Sequence, residues 1–94
     1  MLSYMAKAPV PPKVTTRQLF GRNVRTLRRL REMTQEELAN KAGIQRAHVT
    51  LIERGAVNFT IDTMEVVAHA MGLEVRDLLD ETLELTHLRI DKRQ

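Results

Sequence analysis

From Thr16 onward, apolar positions recur every three or four residues. Phe20, Val24, Leu27 and then Leu30 or Arg31 line one face, the spacing of an amphipathic helix. Thr16 fits the N-cap position, and this first helix is predicted to run to about Arg31. Arg22, Arg25, Arg28, Arg29 and Arg31 fall between the apolar positions and give it a basic flank. Thr34 and Glu37 then have the spacing of a capping box, in which hydroxyl and carboxylate each satisfy an orphan backbone amide. A second helix follows from Gln35 to about Lys41, burying Leu38, Ala39 and Ala42, and Gly43 stops it. A third spans about Gln45 to Arg54, burying Val49 and Ile52, and ends at Gly55. Thr60 caps a fourth, in which Ile61, Met64, Val67, Ala68 and Met71 recur up to Gly72. A brief fifth helix covers roughly Val75 to Leu79. The pattern predicts an all-α domain of five helices. Its second and third helices, both short and only a few residues apart, have the dimensions of a helix-turn-helix.

The two ends do not follow this pattern. Residues 1–15 carry all three prolines, Pro9, Pro11 and Pro12, and show neither helical nor strand periodicity, as expected of an extended, flexible basic arm. The helical domain is assigned to residues 16–80 and a tail to residues 81–94. In the tail, Thr82 to Thr86 alternates polar and apolar residues, as a short strand would. Leu78, Leu79, Thr82 and Leu85 equally fit an extension of the fifth helix. The tail therefore reads as a strand, an arm or a helical extension.

Composition narrows the function. With 94 residues there is room for one small domain. Aromatic residues make up 3%, so the core must be aliphatic. The absence of cysteine removes disulfides, thiolate zinc sites and cysteine nucleophiles. His48, His69 and His87 have no metal-ligand spacing, and there is no glycine-rich phosphate loop. No enzyme activity, metal or cofactor is expected. No apolar run is long enough to span a membrane, and the beginning of the chain lacks the apolar stretch of a secretory signal. A cytoplasmic location is expected, in a bacterium or phage and in association with the nucleoid. The net charge of +3 conceals an asymmetry. Residues 1–60 hold 11 Lys and Arg against 4 Asp and Glu, whereas residues 61–94 hold 4 against 8. A basic first part and an acidic end suit a polyanionic partner for the former; a solvated surface with chance clustering accounts for the charges equally well.

The stretch VRTLRRLREMTQEELANKAGIQRAHVTLIERG, residues 24–55, resembles the lambda-repressor/Cro-like helix-turn-helix family, also called the xenobiotic-response-element family. The resemblance continues through NFTIDTMEVVAHAMGLEVRDLL, residues 58–79. Thr34-Gln35 opens the second helix, Ala39 marks a close helix approach, and Gly43 makes the turn. Ile44, Val49 and Ile52 anchor the third helix, and Glu53-Arg54-Gly55 ends it. In size, and in an arginine early in the third helix, the chain is similar to controller proteins of restriction–modification systems and to small phage repressors. Two positions depart from the family pattern. Glu32 stands where a glycine often ends the first helix, and Glu74 where Ser or Thr often caps the fifth.

The resemblance implies a sequence-specific, DNA-binding transcriptional regulator. An α-helix fits the major groove of B-DNA, where base edges carry a distinct donor and acceptor code. The third helix is the candidate reader, through Gln45, Arg46, Ala47 and Thr50. Arg46 has the two donors that guanine O6 and N7 accept, Gln45 suits adenine, and Ala47 and the Thr50 methyl suit a thymine methyl. Gln35 matches the family's glutamine that clamps the DNA backbone; Thr34, His48, Arg54 and Asn58 are further backbone candidates. Arg28 and Glu53 are expected to form a structural ion pair that locks the first helix to the third.

Family members of this kind bind two-fold operators as homodimers, with half-sites about 10 base pairs apart. Leu73, Val75, Leu78, Leu79, Leu83 and Leu85 exceed what a small core needs and are the candidate dimer surface. Autoregulation of the chain's own promoter is the associated expectation. An alternative is an antitoxin that uses this same domain on its operon and its tail to grip a toxin protein.

Overall fold

The computed structural model describes residues 14–83. The proposed arm up to Lys13 and the tail from Glu84, with its strand, helix and toxin-binding alternatives and with Leu85, lie outside the described residues. The described residues form four α-helices: α1 (Thr16–Leu30), α2 (Gln35–Ala42), α3 (Arg46–Arg54) and α4 (Ile61–Ala70). The expected fifth helix, Val75–Leu79, is a single 3-10 helix, the form in which so short a piece closes its hydrogen bonds. No strand occurs among the described residues.

Helix starts follow capping chemistry. The cap of α1 is Thr15, one residue earlier than expected. Its hydroxyl accepts from the Gln18 amide at 3.2 Å, and the Gln18 side chain accepts from the Thr15 amide at 3.0 Å. Thr16 has no glutamine or glutamate three residues on, so the reciprocal pair selects Thr15. The predicted capping box of α2 forms as spaced, Thr34 Oγ1 accepting from Glu37 N at 3.0 Å and Glu37 Oε1 from Thr34 N at 2.7 Å. Thr60 caps α4 by accepting from the Thr63 amide.

All four helices end in the same closure, a pair of 5-to-2 and 6-to-1 backbone hydrogen bonds. For α1 these are Glu32 N to Arg29 O and Met33 N to Arg28 O, both 3.0 Å. The residue at the turn must then be left-handed. Gly43, Gly55 and Gly72 occupy that position in α2, α3 and α4 with φ of 74°, 64° and 70°. In α1 it is Glu32, at φ 55°. The departure from glycine seen in the sequence thus leaves the turn geometry intact and puts a side chain where left-handed backbone costs an L-residue about 1–2 kcal/mol. Glu32→Gly should therefore raise stability by about 1 kcal/mol, read as a higher Tm.

The core is aliphatic around one aromatic pair. Phe20, Val24 and Leu27 of α1 meet Leu38 and Ala39 of α2, Val49 and Ile52 of α3, Val67 and Ala68 of α4, and Met71 and Leu78. The Phe20 and Phe59 rings lie 5.4 Å apart at 44°, a tilted pairing that suits ring quadrupoles. α1 packs on α3 and on the 3-10 helix, and α2 packs on α3 and α4. Where α1 crosses α3 the two backbones touch. A Cβ on Gly21 would stand 2.0 Å from the carbonyl oxygen of Ile52 and 3.0 Å from that of Glu53. Only glycine fits there, a requirement the apolar pattern does not display.

Of Leu30 and Arg31, it is Arg31 that is buried, while Leu30 is exposed. Two further placements differ from expectation. Ile61, expected on the buried face of α4, is 70% exposed. Three residues fall short of a 3.6-residue turn, so successive steps of three back from Val67 carry Ile61 to the edge of the stripe. Of the leucines assigned to a dimer surface, Leu73, Leu78 and Leu83 are buried in the chain's own fold. The buried Asn23 holds this segment in place, its Nδ2 donating to the carbonyls of Leu78 at 3.0 Å and Asp80 at 2.8 Å. Buried Arg31 donates similarly to the Met71 carbonyl. Asn23 of α1 and Arg31 at its C-cap secure the end of the domain, which leaves Val75 and Leu79 as its half-buried apolar residues.

Candidate nucleic-acid interface

α2 and α3 are joined by a tight turn at Gly43, and a buried carboxylate fixes their relative pose. The Glu53 side chain has no exposed surface. Its Oε2 accepts from Arg28 Nε at 2.6 Å and its Oε1 from Arg28 Nη2 at 3.0 Å, a bidentate pair. Arg28 Nη1 reaches on to the Met33 carbonyl at 2.8 Å. One guanidinium thus ties α1 to α3 and to the turn that leads into α2. Two parallel charge-assisted bonds add directional specificity that a lysine would not give.

The same carboxylate also reaches the head of α2. Gln35 Nε2 donates to Glu53 Oε1 at 3.0 Å, and Gln35 Oε1 accepts from Thr50 Oγ1 at 3.0 Å. The Thr50 hydroxyl also lies 3.3 Å from the Arg46 carbonyl. Gln35, at the first position of α2, is therefore locked between the buried ion pair and the middle of α3. Thr50, assigned to base reading, directs its hydroxyl at Gln35 and is half-buried. Thr34 uses its hydroxyl and its amide within its own cap.

The remaining candidates sort by place. Gln45 is the exposed N-cap of α3, and its side chain makes no capping bond. Arg46 and Ala47 open the helix, both exposed. Arg46 Nε lies 3.7 Å from Glu36 Oε1, with both side chains more than half exposed, so this pair is worth little and leaves the guanidinium able to swing away. His48 is half-buried on the flank of α3. Arg54 closes the helix, and Asn58 lies in the following loop. Asn58 lines a surface hollow with Thr15, Arg17, Gln18 and Gly55, beside the start of α1. Of the backbone candidates, Thr34 and Gln35 fall at the head of α2, Arg54 and Asn58 at the end of α3 and in the loop after it, and His48 on the flank of α3, while Gln45, Arg46 and Ala47 form its exposed head.

Arg25 was not singled out from the sequence beyond its place on the basic flank. It sits one turn before Arg28, with its Nε 3.7 Å from Glu53 Oε1 and its side chain 41% exposed. One carboxylate therefore faces two guanidiniums, and a positive charge remains at the surface beside Gln35. The three-residue spacing to Arg28 was a signal for this, since such positions share a helix face. The Gln35–Thr50 link, fifteen positions apart, had no signal in local spacing.

A family model described as helix-turn-helix matches residues 24–78. Over 67 residues the chain is 40% identical to the control protein C.BamHI of Bacillus amyloliquefaciens, covering 70% of this chain and 83% of that protein. The crystal structure of the restriction-modification controller protein C.AhdI from Aeromonas hydrophila is similar with a TM-score of 0.63 and 34% identity, over 66% of this chain and 94% of that one. The hypothetical transcription factor NHTF from Neisseria gives a TM-score of 0.71 and 29% identity, over 87% and 95% of the two chains.

Proposed function

Because the chain belongs to the helix-turn-helix family and is a DNA-binding transcription regulator related to restriction–modification control proteins, we propose that it binds a two-fold operator as a homodimer and regulates its own promoter. The observation that carries this reading is the coupling of α2 to α3 through Gln35, Glu53 and Thr50. It sets a backbone-contacting amide at a fixed distance from the helix that reads bases. Gln45, Arg46 and Ala47 enter the major groove, and Arg46 pairs with guanine. Gln35 meets a phosphate on one side of the groove, where the amino end of α2 also favours an anion. Arg54 and Asn58 meet the backbone on the other side.

The dimer contact falls to Val75 and Leu79 of the 3-10 helix and to Val66, exposed on the adjoining α4. Asp62, Glu65, Glu74, Asp77, Asp80 and Glu81 outnumber the cations of this end, Arg76 and Arg22, whose Nη2 donates to the Glu81 carbonyl at 3.3 Å. Such a face is repelled by phosphates and is the natural one to turn away from DNA.

The test is selection of bound duplexes from source genomic DNA at a stated, physiological salt concentration. The expected result is a two-fold motif upstream of the chain's own gene, with half-sites about 10 base pairs apart. A motif without two-fold symmetry would overturn the dimer. In the same assay Gln35→Ala should weaken binding to every sequence alike, by about fivefold per half-site for one lost hydrogen bond. The salt slope should not change, because Gln35 carries no charge. A loss confined to one base pair would reassign Gln35 to base reading.

A further inference from the structure

α3 turns by about 100° per residue, so its faces follow from burial. Val49, Ile52 and Glu53 are buried, and Thr50 is half-buried with its hydroxyl held by Gln35. In the stretch from Val49 to Glu53, Leu51 alone is exposed, at 38%. It stands one turn below the exposed Ala47, on the side of α3 opposite the core. A lone exposed leucine is ordinary on a protein surface; the surroundings of this one are not. The exposed charges of α3 are Arg46 and Arg54, and its single carboxylate, Glu53, is buried. A second copy of the chain on this face would set like charges against each other. A groove walled by phosphates neutralises them.

Resting on the assignment of α3 as the reading helix, we infer that Leu51 is a specificity-determining residue, and that with Ala47 it forms an apolar step recognising the C5-methyl group of thymine in the major groove. Thymine is the natural base that presents an apolar group there. One turn of α3 advances about 5.4 Å, against about 3.4 Å per base pair. Leu51 therefore meets a thymine one or two base pairs from the position that faces Ala47. Arg46 and Leu51 divide the reading, the first selecting guanine by hydrogen bonds and the second selecting thymine by contact.

The test replaces each thymine of the selected operator, one at a time, with deoxyuridine, which removes the methyl and keeps every hydrogen-bonding group. Affinities are measured by fluorescence anisotropy for the parent, Leu51→Ala and Leu51→Gln. Leu51 is exposed, so both variants should melt within about 4 °C of the parent. At one thymine per half-site the parent should lose about fourfold in affinity, the worth of one buried methyl. In both variants that loss should fall below about 1.5-fold, because the partner surface is gone. Equal methyl dependence in parent and variants would overturn the assignment of Leu51, as would a parent indifferent to every substitution. If Arg46→Ala abolishes selection while the Leu51 cycle is flat, α3 remains the reading helix and the thymine step alone is refuted. If no sequence is selected at all, the reading of α3 and the thymine step fall together.

Discussion

Arg28→Ala should cost about 3–5 kcal/mol of folding stability, the range seen when one partner of a buried ion pair is removed. The loss comes from what remains. Glu53 is fully enclosed, and without Arg28 its carboxylate keeps only the Gln35 amide at 3.0 Å and Arg25 at 3.7 Å. The Met33 carbonyl loses its side-chain donor as well. A domain of this size holds roughly 4–10 kcal/mol in total, so the variant should be partly unfolded at 37 °C. Thermal scans by circular dichroism check this against Arg46→Ala, whose exposed side chain should leave the Tm nearly unchanged. The reverse order would show that the pair is dispensable. Arg28→Lys should fall between the two, since an ammonium restores the charge and not the bidentate geometry.

Arg46→Ala has its large effect on binding. A bidentate arginine–guanine contact is worth about 1–3 kcal/mol, once in each half-site, so a dimer on a two-fold operator loses it twice. Affinity for the selected operator should fall to near the level of unrelated DNA, while the weak, salt-sensitive binding survives with its slope nearly unchanged, because Arg46 is assigned to a base and not to a phosphate. Measured at two salt concentrations, the variant should lose preference for the guanine position and keep general affinity for duplex DNA. Retained preference would move base reading elsewhere on the chain.

The two variants divide the molecule into parts that the sequence displayed unequally. The helices showed through spacing, because Phe20, Val24 and Leu27 must share a face to be buried together, and through the cap pairs and turn glycines that satisfy orphan backbone groups. The Arg28–Glu53 contact was reached through family resemblance; nothing in the spacing of two residues twenty-five apart predicts it. Two adjacent threonines, Thr15 and Thr16, both fit a cap, and only the reciprocal bond with Gln18 distinguishes them. The leucines after Gly72 looked surplus because the depth of the core they fill depends on how Asn23 and Arg31 draw the chain end inward, a tertiary effect. The links among Gln35, Thr50 and Glu53 are likewise tertiary. They add to Thr50 a second role, its hydroxyl holding the Gln35 side chain.

The backbone contact at Gly21 bears on how such a regulator changes its target over time. α3 is seated against α1 by the carbonyls of Ile52 and Glu53 and, at the same end, by the Glu53 carboxylate. Neither support uses the exposed side chains Gln45, Arg46, Ala47 or Leu51. Gln45, Arg46, Ala47 and Leu51 can therefore be exchanged without altering the angle at which the helix is presented. The scaffold is a fixed holder and the outward residues are interchangeable type. Operator preference can drift, or be rewritten by design, while stability stays constant.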